Sequence, residues 1–379
     1  MTSVIMGPFA SRTLADLGAD VIKVEPPGGD SVRKQKPCLA SDISGMFLNL
    51  NRNKRSIVLD LKVERDREVL KRLIAGADVF MHNLRAPVMA RLGFDYDFCR
   101  SIREDIIYCA AYGFGAKGPY APKPAYDDLI QAASGFASLS EELVGAPTYA
   151  PSVIYDKVVG QAIAIAVLAA IVHRLRTGRG QTVEVPMFEV AIDFNLVEHF
   201  GAAVFQPPRG QPGYPRIRSA DRRPFATADG FACILPYSDR NWRDFFHFTG
   251  RNDLLADARF RSLETRQEYL GELYAEVRKE APRWTNAEWL AFCERADIPC
   301  MPVLGLAQIF HDPHVKAVEL FETVEHPRGG SYRLIRSAVT YGAAPFSLRH
   351  HAPGLGQHTA EILSELGAAQ FREISDLPE

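Results

Sequence analysis

The chain has no CxxC pair: its six cysteines, Cys38, Cys99, Cys109, Cys233, Cys293 and Cys300, are scattered. That spacing argues against a zinc site or a disulfide framework, and it fits a reducing cytosol. Strong charge of one sign is lacking too. A net charge of −2 argues against a general nucleic-acid binder, which would need a basic face. No GxGxxG opens a helix, so the dinucleotide fingerprint is absent. Met1 to Pro8 has neither the basic n-region nor the cleavage site of a signal peptide. The apolar run Val158 to Val172 is short for a bilayer and contains Gln161. No internal repeat or low-complexity tract is present. These absences predict a cytoplasmic protein that needs no metal, redox cofactor, membrane or nucleic acid.

What is present is ordinary for a soluble enzyme. Of the 379 residues, 47% are hydrophobic and 24% charged, enough for a large core and two domains. Gly7-Pro8 leads into a helical pattern through Phe9, Leu14 and Leu17. The short apolar run Ala19 to Glu25 follows, broken by Pro26 to Asp30. This resembles the second half of a nucleotide-binding βαβ unit whose first strand is missing, so the chain is expected to begin late in that unit. Further strands are predicted at Arg55 to Lys62, Ala77 to Asn83 and Asp105 to Gly115, alternating with helices over Arg65 to Gly76 and through Val88 to Leu92. Alternation of this kind indicates a parallel sheet, whose ligands sit at the carboxyl ends of its strands.

Gln181 to Met187 reads as a strand and Phe188 to Phe205 as a helix. A Pro-, Gly- and Arg-rich linker is predicted over residues 206–224. A smaller α+β domain spans 225–310, opening with a hairpin turning at Asp229-Gly230. A second linker covers 311–330, and residues 331–379 return to the large domain begun by residues 1–205. Arg209, Arg216, Arg218, Arg222 and Arg223 could read a carboxylate, although a solvated linker face is the preferred account.

The chain is organised around Tyr149 to Gln181, where Asp156 stands at the mouth of a long apolar helix. A carboxylate there is favoured by the helix's positive end, and on composition alone it reads as a cap. His173, Arg174, Arg176 and Arg179 suit the opposite end, and Gly178 stops the helix.

The order of motifs resembles the class III (CaiB/BaiF) CoA-transferase family, which includes formyl-CoA:oxalate and carnitine CoA-transferases and the related α-methylacyl-CoA racemases. The resemblance runs over nearly the whole chain. It is carried by GPFASRTLADLGADVIKVE, GGDSVR, NRNKRSIVLDLK, ADVFMHNLR, GFGAKGPYA, AYDDLIQAASG, the Asp156 stretch through TGRGQTVEV, PFATADG and APGLGQHTAEILSELG. It implies an α/β fold: a Rossmann-like, parallel-sheet large domain built from both chain ends, a smaller α+β domain, and an interlocked, ring-like homodimer. It makes Asp156 the catalytic nucleophile, moving CoA from an acyl-CoA to a free carboxylic acid through an aspartyl anhydride and an aspartyl-CoA thioester. CoA enters as substrate, with no metal and no redox cofactor.

The family's CoA contacts carry over to Ile5, Met6, Leu59, Asp60, Leu61, Lys62, Asn83, Leu84, Arg85, Arg91, Pro124, Ala125, Tyr126 and Asp127. Lys62 and Arg91 suit phosphates, Tyr126 is placed beside the thioester, and Asp127 is either a second active-site acid or a helix cap. Two departures stand out. Pro26 replaces a basic residue common in the family, so another group such as Arg33 would have to substitute. The glycine run of the oxalate enzymes is absent, which makes oxalate a poor guess for the acceptor. The alternative is an α-methylacyl-CoA racemase. Those enzymes use a histidine near the start of the helix that begins here at Tyr126, and this chain has none there.

Overall fold

The chain is described from a computed structural model covering residues 1–214, 217 and 221–367. Arg216 and Arg218 of the expected linker lie outside the described residues. The chain forms two compact units. One comprises Met1–Phe136, Tyr149–Asn195 and Val318–Glu379, and so contains both chain ends; the other comprises Ala137–Thr148 and Leu196–Ala317. The chain crosses between them at residues 136–137, 148–149, 195–196 and 317–318.

In the first unit, helix α1 (Met6–Asp16) leads to strand β1 (Val21–Glu25). A short hairpin of β2 (Cys38–Ala40) and β3 (Ile43–Ser44) follows, then α2 (Gly45–Asn51), capped by the Ser44 hydroxyl. Next come β4 (Lys54–Val58), α3 (Glu64–Gly76), β5 (Val79–His82), α4 (Ala86–Leu92), α5 (Tyr96–Ile102), β6 (Ile107–Tyr112) and α6 (Asp127–Ala133). After the excursion into the other unit, α7 (Ile154–Thr177), β7 (Gln181–Pro186) and α8 (Met187–His199) complete the alternation. A late hairpin, β8 (Phe321–Glu325) with β9 (Ser331–Ile335), and α9 (Thr359–Glu365) return the chain to this unit.

The parallel sheet is in two pieces. β1 pairs with β4 (Val21↔Lys54), while β5, β6 and β7 form a three-stranded sheet (Val79↔Ile107, Ile107↔Gln181). Among the described residues no strand pairs with the remaining edge of β1 or of β5. β4 also ends sooner than its apolar pattern predicts. The Asp66 carboxylate accepts the Asp60 N–H at 2.7 Å, and Asp60 Oδ1 accepts the Lys62 N–H at 3.1 Å. The Leu59 N–H still reaches the Glu25 carbonyl, and these local bonds turn Asp60 to Lys62 out of the ladder. α2 and α5 are additional to the sequence reading.

α7 is longer than its central apolar run and, by length and composition, could cross a membrane. It is nonetheless a packing helix. Tyr155, Val159, Ile163 and Val167 are fully buried against α1 and the strands. Each such burial stabilises the fold by about 1.5–3 kcal/mol. Gly178 ends it in the left-handed conformation (φ +70°), where a side chain would be strained.

The second unit has its own core. The three-stranded antiparallel sheet runs in the order Cys300–Pro302, Phe231–Ile234, Phe225–Ala226, with the Asp229-Gly230 turn between the last two. Helices Asp239–Thr249, Leu270–Glu280 and Asn286–Ala296 pack Trp242, Phe245, Val277 and Trp289 together.

Candidate functional site

Asp156 lies in the first turn of α7, three residues past the N-cap Val153, so the carboxylate is not the cap of its own helix. That task falls to Asp127, the first residue of α6. Its Oδ1 accepts the N–H groups of Tyr155 (2.7 Å) and Asp156 (3.0 Å). Its Oδ2 takes the Gln131 amide at 2.5 Å, one turn along the same helix. Two of the four orphan donors at the start of α7 are thereby satisfied from outside, and the backbone of Asp156 is pinned. The Asp127 carboxylate is buried.

The Asp156 side chain is free for another partner and takes the backbone N–H of Met6, at the start of α1. Gly160, one turn along α7, lets the two helices come this close. A Cβ there would stand 3.0 Å from the Met6 carbonyl and 3.1 Å from the Phe9 ring. Burial and the neighbouring Asp127 charge push the Asp156 carboxyl up to about 6, against the opposing pull of the Met6 N–H and Lys157. Such a carboxylate is mostly ionised near pH 7 and more nucleophilic than an ordinary one. Tyr155 completes the support: its hydroxyl donates to Asn195 Oδ1 at 2.6 Å, and Asn195 donates in turn to the Ser134 carbonyl at 3.1 Å.

A second feature opens at the carboxyl ends of β1 and β4. A cavity of about 470 Å³ is lined by Leu59, Asp60, Leu61, Lys62 and Leu84, together with Met1–Ser3 and Pro26. Of the expected contacts the structure gathers these five here, and it gathers Met6 and Asp127 around Asp156. Ile5 is the N-cap of α1. Asn83 is engaged with Ser3, exchanging bonds of 2.9 and 3.0 Å, and Arg85 donates to the Pro122 carbonyl at 3.0 Å. Arg91 is exposed in the last turn of α4, Pro124 is exposed, Ala125 packs on Gly113, and Tyr126 is 72% exposed as the N-cap of α6.

Arg33 does not substitute for the missing basic residue at Pro26. It is buried and locked in a two-pronged pair with Glu25 (2.7 and 2.6 Å), donates to the Pro353 carbonyl at 3.0 Å, and stacks 3.8 Å from the Phe47 ring centre. Each nitrogen of its head group already has a partner inside the fold. Sequence reasoning missed Gln131 and the Met6 amide. The i, i+4 spacing of Asp127 and Gln131 was a readable signal. The Met6 contact depends on helix packing and had none.

The model of CoA-transferase family III matches residues 1–359, and the chain belongs to that family. It is 32% identical to a succinate–glutarate CoA-transferase of Agrobacterium fabrum, over 97% of this chain and 93% of that protein. It is 30% identical to a succinyl-CoA:mesaconate CoA-transferase of Haloarcula hispanica (97% and 94%) and to a formyl-CoA:oxalate CoA-transferase of Escherichia coli O157:H7 (97% and 93%). Among solved structures, a CaiB/BaiF family protein from Brucella suis superposes with a TM-score of 0.82 at 30% identity, covering 97% of each chain. Rv3272 from Mycobacterium tuberculosis does so at 0.82 and 29%, covering 95% of each.

Proposed function

We propose that Asp156 is the nucleophile of a CoA transfer between two carboxylic acids. The observation that carries this reading is a half-buried carboxylate with a raised pKa, next to the Met6 backbone N–H and facing no paired cation. Its oxygen attacks the acyl-CoA carbonyl, the C–S bond breaks, and an aspartyl–acyl anhydride and CoA thiolate result. The thiolate attacks the aspartyl carbonyl and the donor acid leaves as its carboxylate. The acceptor carboxylate then opens the aspartyl-CoA thioester and CoA departs on it by the reverse steps. Each step exchanges one activated acyl group for another, so no outside energy enters. Asp127 positions the nucleophile and keeps it basic, and the Met6 N–H orients its oxygen.

In this reading the cavity beside Leu59–Lys62 takes the nucleotide end of CoA, with Lys62 at its phosphates. Arg91 and Tyr126, both exposed, meet the cofactor when it binds. The named relatives act on succinate, glutarate, mesaconate and oxalate, which favours a short dicarboxylate as acceptor. An interlocked homodimer in the cytoplasm is the assembly we infer. Supporting it, α7 leaves Ile165, Leu168, Val172 and Leu175 uncovered in the single chain, 40–77% exposed. A solution mass of 42.1 kDa, that of one chain, would rule the dimer out.

The deciding experiment crosses acyl-CoA donors with dicarboxylic acids and follows ¹⁸O from the carboxylate of the acceptor acid. Label passing into Asp156 is the expected result; turnover without that label ends the anhydride scheme. Loss of an α-proton to deuterated water with no acceptor acid present would instead identify a racemase.

A further inference from the structure

In the second unit the helix Asn286–Ala296 and the strand Cys300–Pro302 are joined by only three residues. Asp297 ends the helix in the left-handed conformation (φ +54°), and the Ile298 N–H donates back to the Cys293 carbonyl at 2.8 Å. The chain is thereby folded over the last turn of its own helix, and the helix lies against the strand. This turn brings together Cys293 and Cys300, one on each element.

The sheet decides which way each sulfur points. The strand Cys300–Pro302 runs antiparallel to Phe231–Ile234, with Cys300 opposite Ile234 and Met301 opposite Cys233. Opposed residues share a face of the sheet, and successive residues alternate between faces. Ile234 is buried in the unit's core, so Cys300 is turned inward, where it packs on the cluster that contains Cys293. Met301 is 59% exposed, which puts Cys233 beside it on the outer face. Cys293 is therefore the sulfur that Cys300 meets. Its S–H donates to the Cys300 sulfur, and this bond lowers Cys300 from the usual thiol range and raises Cys293. Cys300 is also the more exposed of the two. The buried thiols of the first unit differ, since burial pushes both Cys99 and Cys109 up to about 12.

We infer that Cys293 and Cys300 are an oxidation site, a dithiol that a small peroxide closes to a disulfide, with Cys300 as the attacking sulfur and Cys293 as the resolving one. The Cys300 thiolate attacks one oxygen of hydrogen peroxide and the O–O bond breaks, giving Cys300 sulfenic acid and hydroxide. The hydroxide becomes water with the proton that Cys300 gave up on ionising. The Cys293 sulfur then attacks the sulfenic sulfur. The S–O bond breaks, the S–S bond forms, and the oxygen leaves as a second water carrying the Cys293 proton. Two electrons pass from the sulfurs to the peroxide, and a dithiol reductant returns them to the protein. The closed pair ties the last turn of the helix to the edge strand of the sheet. None of this chemistry uses the residues around Asp156.

The test is a peptide map of the full chain. Trypsin cuts after Arg295 and so places Cys293 and Cys300 on separate peptides. The protein is reduced, treated with hydrogen peroxide in slight excess, alkylated and digested without reductant. The expected result is a linked pair of peptides joining Cys293 to Cys300 in most chains, lost again on adding dithiothreitol. In Cys293→Ser, Cys300 should stop at the sulfenic acid, which dimedone traps, and then go on to the sulfinic acid. In Cys300→Ser the linkage is lost, and Cys293 should react at least about ten-fold more slowly than Cys300 does. A linkage of Cys300 to Cys233 or to another chain would overturn the proposal, as would sulfinic acid at Cys300 in place of the linkage in the unsubstituted protein. So would Cys293 and Cys300 still free after peroxide has oxidised the exposed Cys38. These outcomes are read in the unsubstituted chain, so they decide the matter even where Cys293→Ser fails to fold.

Discussion

Glu25 and Asp156 are both carboxylates shielded within the same unit, and their surroundings treat them in opposite ways. At the end of β1, burial alone would raise Glu25, but Arg33, Lys23 and Ser56 outweigh it and hold its carboxyl below the usual range. At the start of α7 no such cation is paired with Asp156, and burial together with Asp127 leaves its carboxyl at about 6. The first arrangement fastens β1 to β4 and to the loop after it. The second keeps a reactive group short of partners at a cost in stability, the usual condition of a catalytic carboxylate. The linkage signs are therefore opposite. Glu25 contributes stability above its unfolded value near 4.5, lost as pH falls through its lower folded value. Asp156 favours the folded state most below its unfolded value of 3.8, and that contribution is lost as pH rises through about 6.

The largest effect belongs to the reactive carboxylate. Asp156→Ala should lower CoA transfer by about 10⁴-fold or more while CoA still binds, read by mass spectrometry of CoA products and by calorimetry. Its unfolding free energy near pH 7 should not fall, since the change removes a charge that burial penalises. Near-normal transfer in this variant would dissolve the contrast with Glu25. The next effect belongs to the fastened carboxylate. Arg33→Ala leaves Glu25 buried and unpaired, and should cost about 3–5 kcal/mol of stability in urea unfolding. A stable Arg33→Ala protein with a raised KM for acyl-CoA would return Arg33 to the phosphate-binding role that the structure denies it.

How much of this could be read from the sequence divides along the same line. The alternation of β4, α3, β5 and β6 follows from local periodicity, as do α7 with its Gly178 stop and the hairpin at Asp229-Gly230. The sequence also marked Asp156 as significant. It assigned the capping to the wrong residue, because the cap comes from Asp127, 29 positions away. Arg33 was misread for a related reason. A basic residue after a Gly-rich turn looks available until the fold sets Glu25 and the Phe47 ring against it. Pattern shows which residues carry chemistry; only packing shows which of them are already engaged.

Asp127→Asn sharpens the comparison at a scale of about one pH unit. The amide oxygen still accepts the N–H groups of Tyr155 and Asp156, but the charge that raises Asp156 is gone. Since transfer needs the ionised nucleophile, activity should fall on the acid side as pH drops through about 6 in the native enzyme. In Asp127→Asn that limb should move to lower pH. An unmoved limb with reduced activity throughout would make Asp127 a cap alone, without an electrostatic role.

The smallest effect tests the cavity at the other end of the comparison. The cations near β1 are spent inside the fold, Arg33 on Glu25 and Lys23 on Asp30 at 2.8 Å, whereas Lys62 lines the cavity with an exposed side chain. One partly solvated lysine meeting a phosphate contributes about 1 kcal/mol, so Lys62→Ala should raise the KM for acyl-CoA about five-fold with kcat nearly unchanged. The effect should shrink as salt rises, because an exposed charge pair is screened over about 10 Å at 0.1 M. The unfolding midpoint should stay within error, in contrast to Arg33→Ala. A fall in kcat with unchanged KM would place Lys62 at the reacting end of CoA and reverse the direction in which the cofactor lies between the cavity and Asp156.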